Sequence, residues 1–492
     1  MDQITGFSPV RLPLDQLNAR GKIDRGAVYL SFLAVLAIYF LIWPVWRAQF
    51  PLEIWLTEGF NAYHQDAAAS GFQLYPPPDS LVGNNYPPLS FYTIGWLGKI
   101  FGDSLYVGRA LSIVGLLCVA GEIFLCVRIL TGSITGAAIG ALWYVAIMSH
   151  NSAVYVGAND PQLAGEAIMG AALAWFLARD KGEMPATPAL LLMVVGGFWK
   201  HNMIGIPLTA VAWLLIRGGR RSFRPLLIVV AAIVSGLLLC GALFGRVFFE
   251  DMLGPRAYGW GGVLMNVGHL QWSAPAFAIW ASWAIGDRAS KQARFTALLV
   301  SIGLAACLLQ WTGEGVGGNA EFDLIVALGI ATGVTFARME TARLARYIRA
   351  NYLRDIMMAI LLLRLVATDR QESALVLLSS EFRSYFHSGQ QAVSREAAVV
   401  AKIPGNVFCS NKIVCRLAGK PFVVDDYKVE EMVATRRFTS DFLTETLQHR
   451  SITTFTNDPM TRASAPKPRS QKCGAQANAT LRSQAAACRL CW

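Results

Sequence analysis

Few residues in this chain could do chemistry, and they are of two kinds. Glu58 and Asp160 are carboxylates of the type that takes a proton from a hydroxyl at hydrogen-bond distance. Lys200, His201, Arg109 and Arg256 are the cations able to hold an anionic phosphate. Tyr63, His64, Tyr86, Tyr258, Asn319 and Glu321 are the polar and aromatic residues expected to contact substrate around them. A base with phosphate-holding cations suits a displacement in which a hydroxyl attacks and a phosphate departs. No tight ligand spacing among the six His supports a divalent metal, and no cofactor is required. Gly313-Glu314-Gly315-Val316-Gly317-Gly318 fits the dinucleotide-binding glycine pattern by letters. It follows no strand and opens no βαβ unit, so that reading fails.

These residues are far apart in the chain, so a scaffold must gather them, and composition says which kind. Of 492 residues, 54% are hydrophobic and only 15% charged, whereas soluble domains carry about 25% charged residues. Mean hydropathy is +0.42. Disorder, collagen-like repeats and a small disulfide scaffold are excluded, and a polytopic helical membrane protein remains. The net charge of +11 does not indicate nucleic acid. Five of the cations lie in the last thirty residues, and most others sit in short loops between apolar runs.

Eleven apolar runs are candidates to cross a bilayer: Ala27–Trp46, Ser104–Val127, Ile134–Met148, Pro161–Ala178, Thr187–Trp199, Met203–Ile216, Pro225–Gly245, His269–Ile285, Phe295–Gln310, Phe322–Ala337 and Leu353–Ala367. Pro88–Phe101 is too short to span and reads as an interfacial helix. The charges test this arrangement. No Lys or Arg occurs between Arg47 and Lys99, where Glu53, Glu58, Asp66 and Asp79 gather. Arg217–Arg224, the loop around Arg288, Lys291 and Arg294, and the loop around Arg338, Arg343, Arg346 and Arg349 are basic. Basic loops mark the cytoplasmic side. With a cytoplasmic N-terminus and eleven crossings, all of them fall inside, and the acids and bases listed above fall outside. The N-terminal 26 residues then read as the cytoplasmic lead of a signal-anchor.

After Thr368 the pattern changes. Residues 368–460 are expected to form a small outer α/β domain, with strand-like runs at Val407–Cys409 and Pro421–Val424. Residues 461–492 are expected to be a disordered basic tail. Cys409 and Cys415, six apart, are spaced to form a disulfide in an oxidising compartment. Cys118, Cys126, Cys240 and Cys307 lie in spans and read as apolar packing. The tail's Cys488 and Cys491 have the spacing of a metal-binding pair, but one such pair is weak support for a site.

The first outer loop holds Thr57-Glu58-Gly59-Phe60-Asn61-Ala62-Tyr63-His64, then Asn85-Tyr86-Pro87-Pro88-Leu89, then Arg109-Ala110-Leu111-Ser112. In this order it resembles the GT-C class of polyprenyl-phosphate-sugar glycosyltransferases, the superfamily of the protein mannosyltransferases and the lipid A aminoarabinose transferase. Those enzymes carry an acidic motif, a Pro-Pro-Leu element and an Arg-x-x-Ser helix start here. Gly157-Ala158-Asn159-Asp160-Pro161, Trp199-Lys200-His201-Asn202 and Gly317-Gly318-Asn319-Ala320-Glu321 resemble the later signatures. The resemblance covers roughly residues 27–340. It departs at Thr57-Glu58, where the family often has Asp-Glu, so the first acid's duty falls on Glu58 or moves to Asp160.

The resemblance implies an inverting transfer of a sugar from a polyprenyl-phosphate donor to an acceptor hydroxyl on a lipid, glycan or protein, outside the cytoplasmic membrane. The departing phosphate needs no acid partner, unlike the leaving group of glycoside hydrolysis. Plainer roles exist for each residue: solvated acid for Glu58, helix cap for Asp160, interfacial anchor for Lys200 and helix-start anchor for Arg109. The rival readings are a transporter or lipid flippase and an envelope scaffold. Few charges lie in the spans, Glu122 and Glu166 being the main ones, and no internal repeat supports a transporter.

Overall fold

The computed structural model describes residues 25–463 except 78, 255 and 343–346. The N-terminal segment to residue 24, Arg343 and Arg346, and the basic tail from 464 with its cysteines lie outside the described residues.

The chain begins with α1 (Arg25–Arg47), then two short helices in the first loop, α2 (Glu58–Ser70) and α3 (Leu89–Phe101). Next come α4 (Ser104–Thr131), α5 (Ile134–Asn151), α6 (Gln162–Lys181), α7 (Thr187–Trp199), α8 (Gly205–Gly218) and α9 (Phe223–Phe244). A loop with α10 (Arg246–Met252) and α11 (Trp260–Asn266) leads to α12 (Ala274–Gly286), α13 (Lys291–Gln310), α14 (Phe322–Ala337) and α15 (Ala350–Ala367). Every apolar run named above is helical. Five stretches are long and apolar enough to cross a membrane: Arg25–Arg47, Ser104–Thr131, Gly205–Phe244, Lys291–Gln310 and Gly318–Ala337. Others are short; α7 and α12 have 13 residues each, about 20 Å of helix.

Local signals set the helix ends. Asp103, Ser133 and Ser290 accept from the backbone N–H groups of Leu105, Gly136 and Ala293, capping α4, α5 and α13. Gly132 ends α4 in the left-handed region at φ 76°.

α14 is the axis of the bundle, 94% of its span being buried. It packs against α5 through two small-residue steps, Gly136/Gly140 and Gly329/Gly333. A Cβ on Gly136 would lie 2.6 Å from Gly333 O, and one on Gly140 would lie 2.6 Å from Gly329 O. Such bare steps let helix backbones touch. At the other extreme, α9 buries only Cys240. Leu227, Val230, Leu238 and Leu243 of α9 point outward, a surface suited to lipid. Cys126, Cys240 and Cys307 are buried as expected, but Cys118 is exposed on α4.

The C-terminal region contains α16 (Glu372–Leu378), α17 (Ser380–Lys402), α18 (Lys412–Leu417), α19 (Asp426–Ala434) and α20 (Ser440–His449). Its only sheet among the described residues is β1 (Val407–Cys409) paired in parallel with β2 (Thr453–Phe455). Cys409 and Cys415 are disulfide-bonded. Pro421–Val424 joins no strand. The adjoining Asp425 N–H donates instead to Leu81 O in the first loop, at 2.9 Å.

This region is docked along the first loop. Trp43, Trp46 and Phe50 interlock with Phe382 and Phe386. Glu53 exchanges backbone hydrogen bonds with Thr461 and Ala463, at 3.1 and 2.8 Å. Arg416 bridges Asp66 of α2 and Asp103 at the start of α4, at 2.7 and 2.8 Å.

Candidate active site

Glu58 opens α2 and is completely buried. Its Oε1 accepts from Arg109 Nε and from Asn159 N–H, both at 2.8 Å. Its Oε2 accepts from Arg109 Nη2 at 2.8 Å and from Ile54 N–H at 2.7 Å. All four acceptor directions of the carboxylate are thus occupied by protein.

Arg109, on α4, is equally enclosed. Besides the two bonds to Glu58, it donates to the carbonyls of Ala48 (3.1 Å), Phe50 and Leu52 (2.7 Å). Its five N–H donors are committed, so the expected phosphate contact is corrected: the guanidinium is the anchor that folds residues 48–58 over the start of α4. Bidentate guanidinium–carboxylate geometry suits that task.

Asp160 is built differently. Gly157 turns the chain in the left-handed region at φ 72°, and Asp160 N–H bonds back to Ala158 O at 2.8 Å. Pro161 then leads into α6. Asp160 Oδ1 accepts from Gln162 N–H at 2.8 Å and from Lys200 Nζ at 2.7 Å. The first bond is the helix-capping role; the second is an ion pair with both partners buried. Among the described residues, Oδ2 has no hydrogen-bond partner. One oxygen is therefore fixed and the other is available.

Lys200 ends α7 in extended backbone. Its Nζ lies 4.9 Å from the centre of the Tyr86 ring, a cation–π separation. Burial alone would lower the ammonium pKa, but Asp160 and Tyr86 beside it carry it above the ordinary lysine value. As an ammonium it has donors beyond the one given to Asp160. Tyr86 is held by its backbone: its carbonyl accepts from Tyr75 OH at 2.9 Å and its N–H donates to Asn84 Oδ1 at 3.0 Å. His201 is exposed, its ring 6.3 Å from that of Tyr86. Asp160, Lys200, Tyr86 and His201 thus come together from three separate loops.

The late loop reaches the same place by one residue. Asn319 Nδ2 donates to Gln162 Oε1 at 3.4 Å, and Asn319 Oδ1 accepts from Tyr155 OH at 3.5 Å. Glu321 is buried and accepts from Trp272 Nε1 at 2.6 Å. Tyr258 is 73% exposed, and its backbone bridges to Gly313.

Three further candidates make contacts within the protein. Arg256 donates to Glu431 at 3.2 Å and to Tyr427 OH at 2.7 Å, and so binds the C-terminal region. Tyr63 stacks on Phe422 with ring centres 4.9 Å apart and donates to Lys420 O. His64 is buried between Phe60, Phe91 and Phe422. Burial lowers its pKa to about 4, so it is neutral there. Tyr63 and His64 are covered because Phe422 of the C-terminal region packs on α2, a contact no local pattern announces.

Sequence reasoning missed Asn61, Gln65, Tyr155, Asn159 and Gln162, which link these groups. All are polar side chains within or beside the quoted motifs, and their burial was the missing signal. Among the described residues, no three His, Cys, Asp or Glu side chains are grouped to hold a metal ion. A recess of about 270 Å³ lies between Asp66, Gly98, Lys99, Asp103 and Arg416, away from Asp160 and Lys200.

This helical bundle, with its two-helix first loop, shares its fold with solved structures. Among solved structures, the chain is similar to ArnT from Cupriavidus metallidurans bound to undecaprenyl phosphate. The TM-score is 0.54 and identity 15%, covering 86% of this chain and 91% of that one. The apo form of the same protein matches with TM-score 0.54 and 14% identity, covering 85% and 89%. No family model matches the sequence, and no curated protein matches it.

Proposed function

We propose that this protein transfers a sugar from a polyprenyl-phosphate donor to an acceptor hydroxyl, with inversion, on the outer face of the cytoplasmic membrane. The observation that carries the reading is the asymmetry of Asp160. Its Oδ1 is tied to Lys200 and Gln162 while its Oδ2 has no partner among the described residues. Such a carboxylate can accept a proton from a hydroxyl as the oxygen attacks the anomeric carbon. Lys200, beside it, can hold the departing phosphate as negative charge collects there, with His201 at the open edge. The carbon–phosphate oxygen bond breaks as the new glycosidic bond forms, and the proton goes to Asp160.

Glu58 has no acceptor direction left for this task, so the base duty falls to Asp160 and Glu58 becomes a framework residue. We assign substrate contact to Asn319, which reaches Asp160's neighbour Gln162, and to the exposed Tyr258. The overlap with ArnT, solved with undecaprenyl phosphate, supports a polyprenyl phosphate as the lipid carrier. The exposed apolar faces of α9 and α11 suit a lipid tail that stays in the bilayer while its head group meets Lys200. The proposed orientation keeps the N-terminus cytoplasmic and the C-terminal region outside, where the Cys409–Cys415 disulfide would be stable.

The test is transfer in vitro. Purified protein in lipid nanodiscs is given a panel of radiolabelled polyprenyl-phosphate sugars with lipid, glycan and peptide acceptors. Release of polyprenyl phosphate with an inverted linkage in the product is expected. No release with any donor, or a retained anomeric configuration, would overturn the reading.

A further inference from the structure

Asn159 immediately precedes the proposed base, and every polar group it owns is held by one helix. Its N–H donates to Glu58 Oε1 at 2.8 Å. Its carbonyl accepts from Asn61 Nδ2 at 2.7 Å. Its side-chain amide exchanges two bonds with that of Gln65: Asn159 Nδ2 to Gln65 Oε1, and Gln65 Nε2 to Asn159 Oδ1, each at 2.9 Å. Glu58, Asn61 and Gln65 stand at i, i+3 and i+7 of α2, so they share one face. All four residues are at most 1% exposed.

The neighbouring helix makes room for this pairing. A Cβ on Gly108 would lie 1.7 Å from Asn159 Oδ1, so α4 must be bare where the amide pair passes. Apolar side chains could fill the same space, but they would not fix the rotation of Asn159. A reciprocal amide pair does, because either amide turned alone loses both bonds. Leaving a buried amide group unpaired costs about 1–3 kcal/mol. The turn's other backbone bonds are Asp160 N–H to Ala158 O at 2.8 Å, Ala158 N–H to Tyr155 O at 3.5 Å and Gly157 N–H to Ser112 Oγ at 3.1 Å, and none of them fixes the rotation of the Asn159 side chain.

We infer that Gln65 is a positioning residue for Asp160, acting through Asn159 to set the direction of Oδ2. This inference rests on the transfer reading above. Gln65 touches no substrate; it fixes the peptide from which the base projects. Displacing a reacting group by about 1 Å can cost roughly a hundredfold in rate.

The experiment compares Gln65→Leu and Gln65→Glu with the wild type, each normalised to folded protein in nanodiscs. Gln65→Leu should lower kcat by roughly ten- to a hundredfold at every pH, with the donor KM within about twofold. Gln65→Glu should be as slow near pH 8, where the ionised carboxyl cannot donate to Asn159 Oδ1. Its rate relative to wild type should climb as pH falls toward about 5.5, because protonation restores the missing donor. A purely structural role would reduce folded protein without a pH-dependent ratio. Wild-type kcat in Gln65→Leu, or a flat ratio in Gln65→Glu, overturns the inference. Amide exchange across residues 156–163 reads the tether without any substrate. It should quicken in Gln65→Leu, and unchanged exchange also overturns the inference. A wild type that transfers nothing overturns the transfer reading instead, and the exchange result then stands alone.

Discussion

Lys200 Nζ lies 2.7 Å from Asp160 Oδ1, joining the end of α7 to the turn before α6 in a buried ion pair. The pair separates two jobs within one carboxylate. Oδ1 is anchored to a cation and a helix N-terminus, and Oδ2 is left for chemistry. Replacing Lys200 with Met removes the charge that would meet the donor phosphate. Binding of polyprenyl phosphate, read by tryptophan fluorescence, should weaken about tenfold or more. Unchanged affinity would remove Lys200 from the phosphate site.

Glu58 and Arg109 form the other buried pair, and its role differs. Breaking such a pair by removing one partner costs about 3–5 kcal/mol. Arg109→Met and Glu58→Gln should therefore lower the melting temperature and the yield of folded protein. The kcat of whatever folds should fall much less than in Asp160→Asn. A Glu58→Gln variant with wild-type melting temperature and no transfer would restore Glu58 as the base.

Arg416 holds α18 to Asp66 and Asp103 with five hydrogen bonds, counting the one to Ser104. Arg416→Ala should loosen the C-terminal region, seen as faster proteolysis between residues 403 and 411. Arg416→Lys should not restore protection, since an ammonium cannot bridge two carboxylates with a planar fork. Wild-type protection in either variant would mean that the aromatic contacts of α17 with α1 hold the region alone.

Docking of this region should also depend on pH. Burial raises the Glu53 carboxyl to about 8, against the opposing pull of Lys412 and Arg462 and with Glu58 and Asp426 adding to the rise. Burial likewise raises Asp425 to about 7, opposed by Lys412 and Lys428 and reinforced by Asp426. Both acids hold their protons in the folded state where the unfolded chain has lost them. Stability from these groups is thus full below about pH 4 and is lost as pH rises through 7 and 8. Amide exchange at residues 461–463 should quicken from about pH 5 to pH 8.5, beyond its intrinsic pH dependence. A protection factor that rises over that range would contradict this.

Much of the scaffold was legible because helices declare themselves locally. The apolar runs, the short helix α3 and the Cys409–Cys415 spacing each depend on neighbours within a few residues. Asp160 and Lys200 were visible as candidates for the same reason: each sits where an apolar run breaks. Their pairing was not, nor was that of Glu58 with Arg109 across 51 residues. Arg416 lies 350 residues from Asp66, and its arrival decides that Tyr63 and His64 are covered. Gln65 gave no signal, since a polar residue on an amphipathic helix reads as solvent-facing until a partner buries it, and Asn159 stood in a quoted motif with nothing to mark it as Gln65's partner. Local periodicity reports which face is apolar. It cannot report which distant segment will cover a polar one.

The most direct measurement is kcat for Asp160→Asn with a competent polyprenyl-phosphate sugar, on protein shown to fold and to bind polyprenyl phosphate. Asparagine keeps the shape and the cap but cannot take the proton. The rate should fall by about a hundredfold or more, with the melting temperature much less affected than in Glu58→Gln. Transfer at the wild-type rate by folded Asp160→Asn would contradict the assignment of Asp160 as the base.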